Sequence, residues 1–213
     1  MKMLIGKDWR DAGSGEELGK YNPSTGKLMY RFPSATRDDA AEAIESASKA
    51  FERWNAMGSK RRAAILGRAA GLILSKRGEL EEILIRENGK VKKEAWEEVN
   101  GVIDQLAYYV GFERKITGDI VEGADKDRKI LQYRVPYGVV VAITPWNFPA
   151  AMVTRKLAPA LLTGNTVVLK PSSDTPGSAE WIVKMLLAAG LPNGVVNMIT
   201  GVGCRHLGRT ECR

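Results

Sequence analysis

Cysteine and histidine are nearly absent from this 213-residue chain: it has Cys204, Cys212 and the single histidine His206. Two cysteines make no disulfide framework. Their spacing with His206 fits no zinc pattern and lacks a fourth ligand, so no metal site is expected. Long apolar runs are also missing. Val139-Val140-Val141-Ala142-Ile143 is among the longest, far short of the about 20 residues that span a bilayer. The N-terminal residues meet Lys7 and Asp8 before a signal-peptide core forms, so no membrane association and a cytoplasmic location are expected. No zinc-finger, RNA-recognition or basic-zipper motif is present. The net charge of +7, from 32 Lys and Arg against 25 Asp and Glu, is spread over mixed-sign helical stretches such as Lys92-Lys93-Glu94 and is expected to serve solubility, not nucleic-acid binding. With 44% apolar and 27% charged residues, the composition is that of a globular protein with a real core.

Three stretches differ in pattern. Residues 1–33 read as irregular, punctuated by Gly13, Gly15, Gly19, Pro23, Gly26 and Pro33, with Asn22-Pro23-Ser24-Thr25-Gly26 a strong turn signal. Residues 34 to about 113 read as helical. Thr36 is expected to cap a helix with Asp38 and Asp39 in its first turn and a stripe through Ala40, Ala43, Ile44, Ala47, Ala50, Phe51 and Trp54. Ser59 is expected to cap a second helix, Asn88-Gly89 to end a third, and a fourth to begin near Val91. From about 116 the period changes. Ile116–Val121 and Ile130–Tyr137 read as extended segments around a charged turn. A β-α-β-α-β series then occupies about 138–203, with strands Gly138–Ile143, Thr166–Lys170 and Val195–Ile199 and helices near Ala150–Leu162 and Gly177–Ala189. Crossovers of that length imply parallel strands covered by helices, half of a doubly wound α/β sheet. Three strands alone would leave an uncovered edge.

Ligands of such sheets bind beyond the carboxyl ends of the strands. Three segments lie there. In Thr144-Pro145-Trp146-Asn147-Phe148-Pro149 two prolines stiffen the backbone. Asn147 could donate its amide to an oxyanion, or the segment could be only a rigid connection with packed aromatics. In Lys170-Pro171-Ser172-Ser173-Asp174-Thr175-Pro176 a strand-end lysine with hydroxyls suits a ribose or phosphate. Equally, Lys170 could extend to water while Thr175 caps the next helix. Gly201-Val202-Gly203 begins like a phosphate loop, but His206 stands where a third glycine belongs.

Together these segments resemble NAD(P)-dependent aldehyde dehydrogenases. The likeness rests on Val140–Pro149, Lys156-Leu157-Ala158-Pro159-Ala160-Leu161, Gly164–Ser172 and Leu191–Asn197 in that order, with Asn22–Gly26 and Glu87-Asn88-Gly89-Lys90 upstream. It implies that Asn147 helps form the oxyanion hole, that Ile143, Thr144, Pro145 and Trp146 line the cofactor groove, and that Lys170 binds the adenosine ribose, with Ser172 beside it. Gly203 would approach the adenine and Lys156 would lie near the reacting centre. The segment 116–137 resembles the β arm through which family subunits form homo-oligomers. The implied reaction is oxidation of a small-molecule aldehyde to a carboxylic acid with NAD or NADP as hydride acceptor.

Two departures stand out. Ser173 occupies a position where the family often carries Glu, and losing that carboxylate makes NADP a plausible cofactor. The family's nucleophilic Cys and general-base Glu match no residue here, and Cys204–Arg213 is an atypical tail without an apolar stripe. The expectation is one incomplete NAD(P)-binding domain over 1–213, truncated or frameshifted after about Gly203 and lacking the catalytic domain. The alternative is an inactive remnant that binds nucleotide or pairs with other subunits.

Overall fold

The computed structural model describes residues 1–116, 118–123 and 127–202. Residues 1–33 are not irregular: they carry four short strands, β1 (Met3–Ile5), β2 (Asp8–Arg10), β3 (Glu17–Tyr21) and β4 (Leu28–Pro33). β1 and β2, of three residues each, are too short to show a period, and Gly19 falls within β3 while Pro33 ends β4, so Gly and Pro dominate the sequence pattern. β3 and β4 pair antiparallel. The expected turn joins them, with Asn22 Oδ1 accepting from the amides of Ser24 and Thr25 at 2.9 and 3.1 Å.

Four helices follow. α1 (Arg37–Ala56) starts with a capping box between Thr36 and Asp39. Its stripe buries Ala43, Ala47, Ala50 and Trp54, whereas Ile44 is exposed. α2 (Ser59–Ser75) is not capped by Ser59. Gly58, at φ +78°, occupies the cap, and Ser59 is already inside the helix. α3 (Arg77–Asn88) ends at Gly89, left-handed at φ +82°. α4 (Lys92–Gly111) packs on α2 and α3 through Ala95, Val99, Val102 and Leu106.

The antiparallel hairpin β5 (Asp119–Glu122) and β6 (Lys129–Gln132) is exposed on both faces, although Ile120 opposes Leu131 and Val121 opposes Ile130. Beyond it run β7 (Val139–Ile143), α5 (Pro149–Leu162), β8 (Thr166–Lys170), α6 (Pro176–Ala188) and β9 (Val196–Met198). β7, β8 and β9 are parallel, as expected. The sheet has five strands, not three, in the order β2-β1-β9-β8-β7. β1 runs antiparallel beside β9 and covers that edge, so among the described residues the sheet ends at β2 on one side and β7 on the other.

Helices flank both faces. Met3, Ile5, Val168 and Ile199 pack with Ala43 and Ala47 of α1, while Leu4, Val167, Leu169 and Met198 belong to the larger core with α5 and α6. Coverage on both sides explains why β8 is buried along its length, with Val167, Val168 and Leu169 at its centre. No helix among the described residues is long and apolar enough to cross a membrane.

Candidate active site

The two crossover helices are clamped at both ends by charged side chains of the helical layer. At the N-terminus of α6, Glu87 accepts from the amides of Gly177 and Ser178 at 2.7 and 3.1 Å. At its C-terminal end, Arg68 Nε donates to the Ala189 carbonyl at 2.9 Å. At the N-terminus of α5, Glu98 Oε1 accepts from Ala150 and Ala151 at 2.9 and 3.1 Å. At its C-terminus, Arg62 Nε donates to the Leu162 carbonyl at 3.0 Å. Each charge has the sign that complements the helix dipole, and each fills orphan backbone groups. Thr175, which the alternative reading of this loop makes the cap of α6, forms no side-chain cap bond; Glu87 does that work from 90 residues away.

Burial raises the carboxyl pKa of Glu87, against the hydrogen bonds it accepts from Tyr30, Gly177 and Ser178. The Tyr30 hydroxyl donates to Glu87, and its pKa is raised by burial and by that carboxylate.

These clamps fix where the strand-end loops sit. The loop after β7 leaves the ladder with Thr144 N donating to the Lys170 carbonyl at 3.1 Å. Thr144 is buried, and its hydroxyl has no partner among the described residues. Ile143, Pro145, Trp146, Asn147 and Phe148 are exposed. In the loop after β8, Lys170 is 8% exposed and its Nζ donates to the Pro171 carbonyl at 3.3 Å. Desolvation lowers the Lys170 pKa. Ser172 Oγ accepts from Asp174 N at 3.2 Å. Ser173 Oγ donates to the Gly201 carbonyl at 2.9 Å, tying this loop to the one after β9.

Thus Ile143, Thr144, Pro145, Trp146, Lys170, Ser172 and Ser173 all lie at the carboxyl edge of the parallel strands, and Asn147 lies just before α5. Lys156 is exposed two turns further along α5. Its neighbour Arg155, not Lys156, lines a cleft of about 530 Å³ with Phe148, Ala151, Asn88 and Gln105. Gly203 lies outside the described residues.

Sequence patterns missed the residues that hold the Asn147 loop. Asn88 Nδ2 donates to the Trp146 carbonyl at 2.8 Å. Lys90 Nζ lies 4.2 Å from the Phe148 ring centroid and 3.0 Å from Glu98 Oε2. The run Glu87-Asn88-Gly89-Lys90 was the available signal, but Asn88-Gly89 reads first as a helix stop.

Polar and cationic groups gather at the carboxyl ends of the parallel strands, where open α/β sheets bind their ligands. The profile of the aldehyde dehydrogenase family matches residues 9–209, and the chain belongs to that family. It is 63% identical over 203 residues to the D-glyceraldehyde dehydrogenase (NADP(+)) of Picrophilus torridus, covering 95% of this chain and 41% of that protein. It is 59% identical over 202 residues to the enzyme of the same name from Thermoplasma acidophilum, again covering 95% and 41%. The structure of 3,6-anhydro-L-galactose dehydrogenase in complex with NAP superposes with a TM-score of 0.91 at 34% identity, covering 98% of this chain and 44% of that one. The chain therefore spans about 41% of the length of the curated relatives it matches.

Proposed function

We propose that this chain forms the NADP-binding part and the oxyanion side of an aldehyde dehydrogenase that oxidises a small polar aldehyde of the D-glyceraldehyde type. The observation that carries this reading is the strand-end constellation of Thr144, Lys170, Ser172 and Ser173 beside Asn147. Two features fit a nucleotide. Lys170 is a buried cation whose Nζ has three donors and, among the described residues, one hydrogen-bond acceptor, the Pro171 carbonyl. Thr144 Oγ1 is buried with no partner among the described residues. Buried polar groups of this kind call for hydrogen-bond partners, which ribose and phosphate oxygens supply.

Lys170 would hold the ribose, and Ser172 and Ser173 would face its hydroxyls or a 2′-phosphate. Ile143, Pro145 and Trp146 would wall the groove, with Gly203 completing its adenine side. When bound, NADP supplies a hydride acceptor. Asn147 would donate its side-chain N–H to the oxygen that gains charge as the aldehyde carbon becomes tetrahedral. Lys156 would act near that centre only by reaching back along α5. The substrate class comes from the two D-glyceraldehyde dehydrogenase relatives.

By this account 1–213 is one cofactor-binding unit: a helical part at 34–113, an arm at 116–137 and the β-α-β-α-β part at 138–203. The doubly exposed hairpin β5–β6 would pair with another copy in a homo-oligomer, because a lone two-stranded ribbon is marginal in water. The 213 residues by themselves would not oxidise aldehyde, since neither Cys204 nor Cys212 matches the family nucleophile. Equilibrium dialysis of the purified chain against NADP tests the proposal. Saturable binding is expected, and absence of binding would overturn it.

A further inference from the structure

Asn147 itself is exposed, as are Trp146 at 58% and Phe148 at 51%. Burial therefore does not fix this loop. Two side chains from the junction of α3 and α4, Asn88 and Lys90, and one from the second turn of α4, Glu98, grip it on both sides of Asn147. Before it, Asn88 Nδ2 donates to the Trp146 carbonyl at 2.8 Å. After it, the Lys90 ammonium sits over the Phe148 ring at 4.2 Å. Beyond that, Glu98 holds the amides of Ala150 and Ala151 at 2.9 and 3.1 Å. Lys90 and Glu98 form an ion pair at 3.0 Å with side chains only 9% and 0% exposed, so solvent screens it little. Gly89, at φ +82°, turns the chain between Asn88 and Lys90, letting both reach the same loop.

We propose that Asn88, Lys90 and Glu98 are positioning residues for Asn147, holding its amide where a developing oxyanion needs a donor. The proposal rests on the reading of Asn147 as that donor. A donor displaced by a fraction of an ångström loses most of its value, because preorganisation is what makes such a group effective. The three residues meet α5 and its preceding loop across 52 to 58 residues of sequence, so they form one brace rather than three local contacts. Asn88 is the most informative member: its bond to the loop is exposed, so removing it costs little global stability.

The experiment is ¹⁵N relaxation on the purified chain, comparing wild type with Asn88→Ala, Lys90→Met and Lys90→Arg. Wild-type Asn147 amides, backbone and side chain, should be ordered, with an order parameter of about 0.85, falling below about 0.6 in Asn88→Ala and Lys90→Met. Amides of β8 and α6 should not change. Lys90→Arg should retain the order, because Arg keeps both the ring contact and the ion pair. The proposal is overturned if Asn147 stays ordered in both disruptive variants, or if order is lost equally in β8 and α6. Activity of Asn147→Ala in the intact enzyme is a separate test. An unchanged kcat there would remove the oxyanion reading while leaving the relaxation result to judge the brace.

Discussion

The hydroxyl of Ser173 donates to the carbonyl of Gly201 at 2.9 Å, joining the loops that leave β8 and β9. This bond sets the shape of the groove edge where the family often carries a carboxylate. Serine leaves that edge neutral, and Lys170 lies three residues earlier at the end of the same strand. A carboxylate at 173 would repel a 2′-phosphate and could not donate to Gly201. Ser173→Glu is therefore expected to weaken NADP binding relative to NAD by about 10- to 100-fold, roughly 1.4–2.7 kcal/mol of repulsion between the new carboxylate and the 2′-phosphate. Paired titrations with the two cofactors check this. An unchanged ratio would show that position 173 does not set the choice.

Arg62 gives a stability prediction. It is 6% exposed and donates to the carbonyls of Leu162 at 3.0 Å and Asn55 at 2.9 Å. Burial lowers its pKa, yet a guanidinium stays charged at neutral pH. Arg62→Met fills similar volume but strips the Leu162 carbonyl at the end of α5 of its side-chain donor and leaves the Asn55 carbonyl of α1 with a long bond from the Gly58 amide at 3.4 Å. The expected loss is about 3 kcal/mol of unfolding free energy, read from urea denaturation. A loss below about 1 kcal/mol would mean that water replaces the guanidinium at little cost.

Glu87 gives a pH dependence of definite sign. Burial raises its folded-state pKa, so between the unfolded value of about 4.3 and that raised value the folded chain holds a proton the unfolded chain has lost. Its contribution to stability is complete below the unfolded pKa and is lost as pH rises through the folded one. The unfolding free energy of wild type minus that of Glu87→Gln should therefore fall as pH is raised from about 4 toward neutrality. A difference that stays flat or rises would mean that the hydrogen bonds from Tyr30, Gly177 and Ser178 offset the effect of burial.

Much of the fold was legible where the pattern had room to repeat. β8 begins and ends at Thr166 and Lys170, as the sequence implies, because both its faces are covered and every residue is buried. The cap at Thr36 and the stop at Gly89 follow from local chemistry and were equally readable. β1 and β2 were not, because three residues carry no period, and what makes Met3-Leu4-Ile5 a strand is β9 alongside. The candidate site, whose roles are proposals, shows the same division. Lys170, Ser173 and Asn147 could be named from their places after apolar strands. Glu87 and Glu98 could not. Each sits on a helix where a glutamate ordinarily faces water, and only the fold brings it beneath the first turn of another helix.

The most direct measurement is a map of backbone amide shifts in the ¹⁵N spectrum of this chain as NADP is added. The account requires saturable shifts concentrated at Ile143, Thr144, Trp146, Lys170, Ser172 and Ser173, with β5, β6 and the outer face of α1 unchanged, and their loss in Lys170→Met. Shifts centred away from the carboxyl ends of β7, β8 and β9, or an unaltered response in Lys170→Met, would contradict it.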